Sequence, residues 1–183
     1  WRTDPEKAGA GGSIGDIGTH AFHLVRFVTG LEITALAADL ASFVEGRRVD
    51  DNAHVLLRLG SGARGLLTAS QIAVGNENSL RLEVYGTRGG LVWQQEDPNR
   101  LLFTPVGEPT RTLTRNGPGG VEAAHRLTRV PAGHPEGYLE AFANLYAEAA
   151  QAIRARRQGT AADPASTYPT VEDGLEGLVF IEA

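Results

Sequence analysis

The chain has 183 residues, of which 42% are hydrophobic and 21% charged, with a formal net charge of −5 and no cysteine. The length allows a sizeable core. The missing cysteines exclude disulfides, thiolate chemistry and cysteine-ligated metals, and the acidic balance gives no electrostatic case for nucleic acid, which wants clustered Lys and Arg. No apolar run reaches the length needed to cross a bilayer, so no membrane partner is expected, and a cytoplasmic location is the expectation.

Residues 13 to 29 carry Ile17, Ala21, Leu24, Val25 and Val28 on one helical stripe and end in Thr29-Gly30, which predicts a first helix. Gly9 to Gly12 ahead of it reads as an irregular loop. No apolar strand precedes it and no acidic residue follows at ribose distance, so it lacks the signature of a dinucleotide cradle. Residues 33 to 44 then predict a strand and residues 45 to 51 a polar turn. Residues 52 to 59 and 63 to 74 form a hairpin across Gly60-Ser61-Gly62. Residues 80 to 85 alternate cleanly and meet residues 91 to 95 across Gly86 to Gly90. Residues 100 to 106 and 110 to 115 add two weaker strands.

After a loop at residues 116 to 120, a long helix is predicted from about residue 135 to 157, with Tyr138, Phe142, Leu145, Tyr146, Ala149 and Ile153 at helical spacing and read as core. Arg154, Arg156 and Arg157 complement its C-terminal dipole. Residues 159 to 165 are linker-like. Thr170 and Asp173 form a capping-box pattern that starts the last helix. Consecutive hairpins without intervening helices imply an α+β fold, with an open, mostly antiparallel sheet and helices packed on one face. The chain starts at Trp1, has no methionine and stops at Ala183 within a helical pattern. Residues 1–183 are therefore expected to be one domain excised from a longer protein.

The most informative feature is Asp16 followed by His20. Four residues apart on a helix, they share one face a turn apart. Asp16 near the helix N-terminus sits at the favourable end of the macrodipole. A carboxylate beside an imidazole favours the charged ring and fixes its orientation, which suits a proton-transferring histidine. The plainer alternatives are a helix cap or first-turn acid for Asp16 and a hydrogen-bonded histidine beneath the sheet for His20. His23 extends the spacing towards a metal set, but no fourth ligand is apparent, so no metal is expected and His23 is read as lining the helix–sheet contact. His54 and His125 read as structural or exposed.

The stretch from Gly15 and Asp16 to His20, preceded by Gly11-Gly12 and by Trp1-Arg2, resembles the second domain of the glucose–fructose oxidoreductase / inositol dehydrogenase family, the Gfo/Idh/MocA oxidoreductases. The helix–sheet–long-helix order and the closing segment from Tyr168 to Gly174 agree, so the resemblance covers essentially the whole chain. Ser70-Gln71, the segment from Trp93 to Glu96 and that from Gly133 to Gly137 are similar to a subset acting on sugars or anhydrosugars.

The resemblance implies an NAD(P)-dependent oxidoreductase working on the CH–OH group of a sugar or polyol. His20 would be the acid/base and Asp16 its catalytic partner, with Trp1, Arg2 and His134 binding substrate. It implies an N-terminal Rossmann domain that carries the cofactor and a catalytic lysine, so no cofactor is expected on this chain alone, which would be inactive by itself. Glu6-Lys7 is not followed by the family's proline and does not take that lysine's place. Gln71 and Gln95 are possible donors to sugar hydroxyls.

Two other functions compete with this one. The first is a non-catalytic module that forms homo-dimers or tetramers through the open sheet face, where Leu80, Leu82 and Val84 would be occluded. The second is a metal-dependent hydrolase using Asp16, His20 and His23.

Overall fold

A computed structural model describes residues 3–183. In chain order its elements are α1 (Pro5–Ala8), a π-helical turn (Ile14–Gly18), α2 (Thr19–Thr29), β1 (Ile33–Ala41), β2 (Asn52–Leu59), β3 (Arg64–Ser70), β4 (Arg81–Gly86), β5 (Gly89–Gln94), β6 (Arg100–Pro105), β7 (Arg111–Thr114), α3 (Glu122–Arg126), α4 (Tyr138–Gln158) and α5 (Val171–Glu182). They gather into two units. One takes in the chain up to residue 78 and again from Thr170 to Ala183; the other is Ser79–Pro169. All strand pairings are antiparallel, and the strands divide between a three-stranded sheet β1-β2-β3 and a four-stranded meander β4-β5-β6-β7.

In the first unit β2 is the central strand, and its alternation sets the layers. Ala53, Val55, Leu57 and Leu59 point inward and are buried, while His54, Leu56 and Arg58 point outward. Leu67 and Ala69 of β3 join them in register. Ile14, Phe22 and Phe180 cover this face from the helical side. The rings of Phe22 on α2 and Phe180 on α5 stack with centroids 4.4 Å apart. Arg26 pairs with Glu176 across the same two helices. Gly30, in the left-handed region at φ 66°, ends α2.

The first predicted helix does not run evenly from residue 13. Residues 14 to 18 wind as a π turn, in which Thr19 N–H donates back to Ile14 C=O. The wider turn shifts the phase of everything beyond it. Phe22 faces the core although the 3.6-residue stripe leaves it out, and Val28, which that stripe includes, is exposed.

This turn is fastened to the sheet end by Asp50, which is buried in the loop between β1 and β2. The Asp50 carboxylate accepts from Gly12 N–H at 2.6 Å, from Ile14 N–H at 2.8 Å and from Ser13 Oγ at 2.5 Å. Ser13 N–H donates to Asp50 C=O at 2.8 Å. The free amides at the start of the helical run are thus met by a residue 36 to 38 positions away, as orphan amides there require. The approach is so close that a Cβ at Gly12 would fall 1.9 Å from Asp50 C=O.

The second unit is held differently. Arg115 donates through Nε to Asn99 Oδ1 (2.8 Å) and through its guanidinium to the carbonyls of Val130 (2.9 Å) and His134 (2.6 Å), and it pairs with buried Glu136 at 2.7 Å. Glu136 accepts in turn from Arg129 N–H and Val130 N–H. The predicted core stripe of α4 is not buried. Tyr138 and Tyr146 are 69% and 71% exposed, and their rings meet Phe142 in tilted contacts instead. Helical spacing tells which residues share a face, not whether another element covers it.

The Asp50 clasp sets a sharp contrast between two neighbouring glycines. Gly12→Ala is expected to cost about 3 kcal/mol of unfolding free energy or more, because backbone on both sides must move. Gly15→Ala meets nothing within 4 Å, and it should be neutral or stabilising by up to about 1 kcal/mol. Urea titration of both variants checks this.

Candidate active site

Asp16 lies within the π turn and His20 at the second position of α2, so the two stand on successive turns of one continuous helical run. Both side chains are exposed to solvent. Neither is sealed beneath the sheet, as the plainer reading of His20 requires. π turns of this kind recur at functional sites. The main-chain amides at the start of the run are capped by Asp50, so Asp16 is not the helix-capping acid.

Three polar side chains stand behind Asp16. Gln71, one residue past β3, donates from Nε2 to Asp16 Oδ2 at 3.2 Å. Arg47 donates from Nη1 to Gln71 Oε1 at 3.0 Å, and the same nitrogen lies 3.8 Å from Asp51 Oδ2. Asp51 is fully buried. Its carboxylate accepts from Phe43 N–H at 2.9 and 3.1 Å and from Val44 N–H at 2.9 Å. These bonds, that from Phe43 first, together with the Arg47 charge, hold Asp51 below the usual carboxylate range against the opposing effect of burial.

The remaining sequence-predicted residues are placed less centrally. Trp1 and Arg2 lie outside the described residues. His134 is exposed in the loop before α4 in the second unit, with its C=O held by Arg115. His23 faces α5 and not the sheet: its Nε2 is 3.9 Å from Asp173 Oδ1. The reason is again the phase shift from the π turn. Among the described residues no group of three or more His, Asp or Glu side chains is arranged to hold a metal ion. Among them, too, no helix is long and apolar enough to cross a membrane. His54 Nε2 lies 3.0 Å from Asn52 Nδ2.

Sequence reading missed Asp50, Asp51 and Arg47, which it left in a polar turn. The only available signal was the pair of adjacent acids just before the strictly alternating strand β2, and nothing in local spacing links them to Asp16.

The GFO/IDH/MocA C-terminal domain matches residues 1–92. The chain belongs to this family. It is 35% identical to the uncharacterized oxidoreductase YfiI of Bacillus subtilis over 185 residues, covering 100% of this chain and 47% of that protein. Among solved structures, an oxidoreductase from Sinorhizobium meliloti is 58% identical with a TM-score of 0.89, covering 93% of this chain and 48% of the other. An inositol dehydrogenase homolog from Azotobacter vinelandii, complexed with NADH and myo-inositol, is 34% identical with a TM-score of 0.92, covering 100% and 48%. The chain spans about half the length of each of these relatives.

Asp51 gives this site an acid-sensitive support. A carboxyl held low in the folded state contributes stability that is fully present above the ordinary carboxylate range and is lost as pH falls through the folded value. The difference in urea midpoint between the parent chain and Asp51→Asn should therefore be largest near neutral pH. It should shrink steadily below about pH 4.

Proposed function

We propose that this chain is the substrate-binding and acid/base portion of a longer NAD(P)-dependent oxidoreductase acting on a sugar or polyol hydroxyl. The observation that carries the reading is the placement of Asp16 and His20 on successive turns of one solvent-open helical face, anchored from behind by Asp50 and Gln71. The A. vinelandii relative, solved with NADH and myo-inositol, supports the cofactor and substrate class.

In this reading the His20 imidazole takes the proton of the reacting hydroxyl, and the Asp16 carboxylate orients that ring and favours its charged form. Trp1 would supply a flat wall for a sugar face and Arg2 a multi-donor clamp. His134 is the further substrate-binding candidate. These three roles rest on the family resemblance.

The Gly12 amide, at the end of the glycine-rich segment, is taken by the Asp50 carboxylate and is not free for a phosphate. A nicotinamide nucleotide held by a further, N-terminal domain would supply the hydride acceptor. Residues 1–183 then act as the C-terminal domain of that longer protein and do not turn over substrate alone.

The test joins this chain to the nucleotide-binding half of a relative and follows polyol-dependent reduction of NAD or NADP. His20→Asn and Asp16→Asn should each lower kcat/KM by about 100-fold or more. Unchanged rates would refute the roles assigned here.

A second reading, self-association, is favoured by one specific feature. Leu56 and Leu66 face each other across β2 and β3 on the outer side of the sheet and are 63% and 67% exposed. Arg58 and Arg64 form the next pair. The other sheet offers less, because Leu80, Leu82 and Val84 are already half-buried. A dimer or tetramer built through this face would cover the leucine pair. Sedimentation should show association that Leu56→Glu abolishes, and a strict monomer at high concentration would rule the reading out.

A further inference from the structure

Gln71 stands out in its context because both ends of its amide already have protein partners. Its Oε1 accepts from Arg47 Nη1 at 3.0 Å and its Nε2 donates to Asp16 Oδ2 at 3.2 Å. A guanidinium has donors only and a carboxylate acceptors only, so the two neighbours admit a single amide orientation. Turning the amide over would set its NH2 against Arg47 and its carbonyl against Asp16, replacing two attractions with two repulsions. Arg47 is itself restrained by the buried Asp51 carboxylate, and its side chain is only 19% exposed. Gln71 N–H donates to Asp51 C=O at 2.8 Å. Both the main chain and the side chain of Gln71 are therefore tied to the segment that also carries Asp50, the residue clasping the Asp16 turn.

We propose that Gln71, oriented by Arg47, is a positioning residue for Asp16, fixing the plane of its carboxylate through one amide donor rather than binding substrate. This rests on the reading of Asp16 as a site residue. The same segment thus holds Asp16 twice: through the backbone of its turn by Asp50, and through its carboxylate by Gln71. Among the described residues, nearby charged and titratable groups include His20 one turn further on, Asp50 at the start of the turn and Arg47 behind the amide.

The donor polarises the carboxylate it touches, so its removal has a readable consequence. In the 183-residue chain the Asp16 carboxylate is followed by its carbon-13 resonance at neutral pH. Gln71→Leu, which keeps the bulk and deletes the donor, should shift that resonance. Arg47→Met leaves Gln71 in place but frees its amide, and should shift the resonance the same way by less. Far-ultraviolet circular dichroism and urea midpoints establish that each variant is folded. A tie that only holds the fold together would change the urea midpoint and leave the Asp16 resonance where it was. An Asp16 resonance unmoved in both folded variants would overturn the proposal.

In the chain joined to a nucleotide-binding half, Gln71→Leu should lower kcat by about tenfold, with KM for the polyol changed less than twofold. A large rise in KM at unchanged kcat would mean that Gln71 binds substrate, which overturns the proposal. If instead Asp16→Asn left kcat/KM unchanged while the NMR shift persisted, the catalytic reading of Asp16 would fall. The hydrogen-bonded placement of Asp16 would stand.

Discussion

A buried carboxylate needs donors, and the free amides at the start of a helix need acceptors. In this chain the Asp50 carboxylate and the amides of Gly12 and Ile14 answer each other, with the Ser13 hydroxyl completing the set. The clasp joins the loop between β1 and β2 to the turn that begins the first helical run. That turn carries Asp16 and leads directly into His20. The bareness of Gly12 is a consequence: any side chain there would occupy the space of the Asp50 carbonyl.

Asp50 and Asp51 are adjacent in sequence and serve different parts of the molecule. Asp50 holds the helical turn. Asp51 takes the amides of Phe43 and Val44 and restrains Arg47, through which it acts on Gln71. Two like charges next to each other in the sequence thus end with separate donor sets. The site is thereby organised from behind by groups that face away from solvent, while Asp16 and His20 remain open to it.

The two units are stabilised by different means. In the first, aliphatic residues of β2 and β3 close over Phe22 and Phe180. In the second, every apolar side chain described is at least partly exposed, and the buried charged groups among the described residues are Glu136 and Glu148. Arg115, Asn99 and Glu136 fix the loop of His134 by charge-assisted hydrogen bonds. The aromatic residues of α4 stay exposed.

Local patterns were enough for much of this. The turn at Gly60 to Gly62 placed the hairpin of β2 and β3, the Thr170 and Asp173 pair located the start of α5, and the four-residue spacing of Asp16 and His20 picked out two side chains on successive turns of one helical run. Each is a short-range property, set by backbone geometry within a few residues. The π turn, the burial of Phe22 in place of Val28, the exposure of Tyr138 and Tyr146, and the supports of Asp16 were not legible in that way. They depend on which distant groups fill a cavity or satisfy a donor: Asp50 lies more than thirty residues from the amides it caps, and Gln71 lies 55 from the carboxylate it holds. Spacing along a chain fixes which side chains share a face. What lies against that face is settled only when remote segments come together and their polar groups compete for partners.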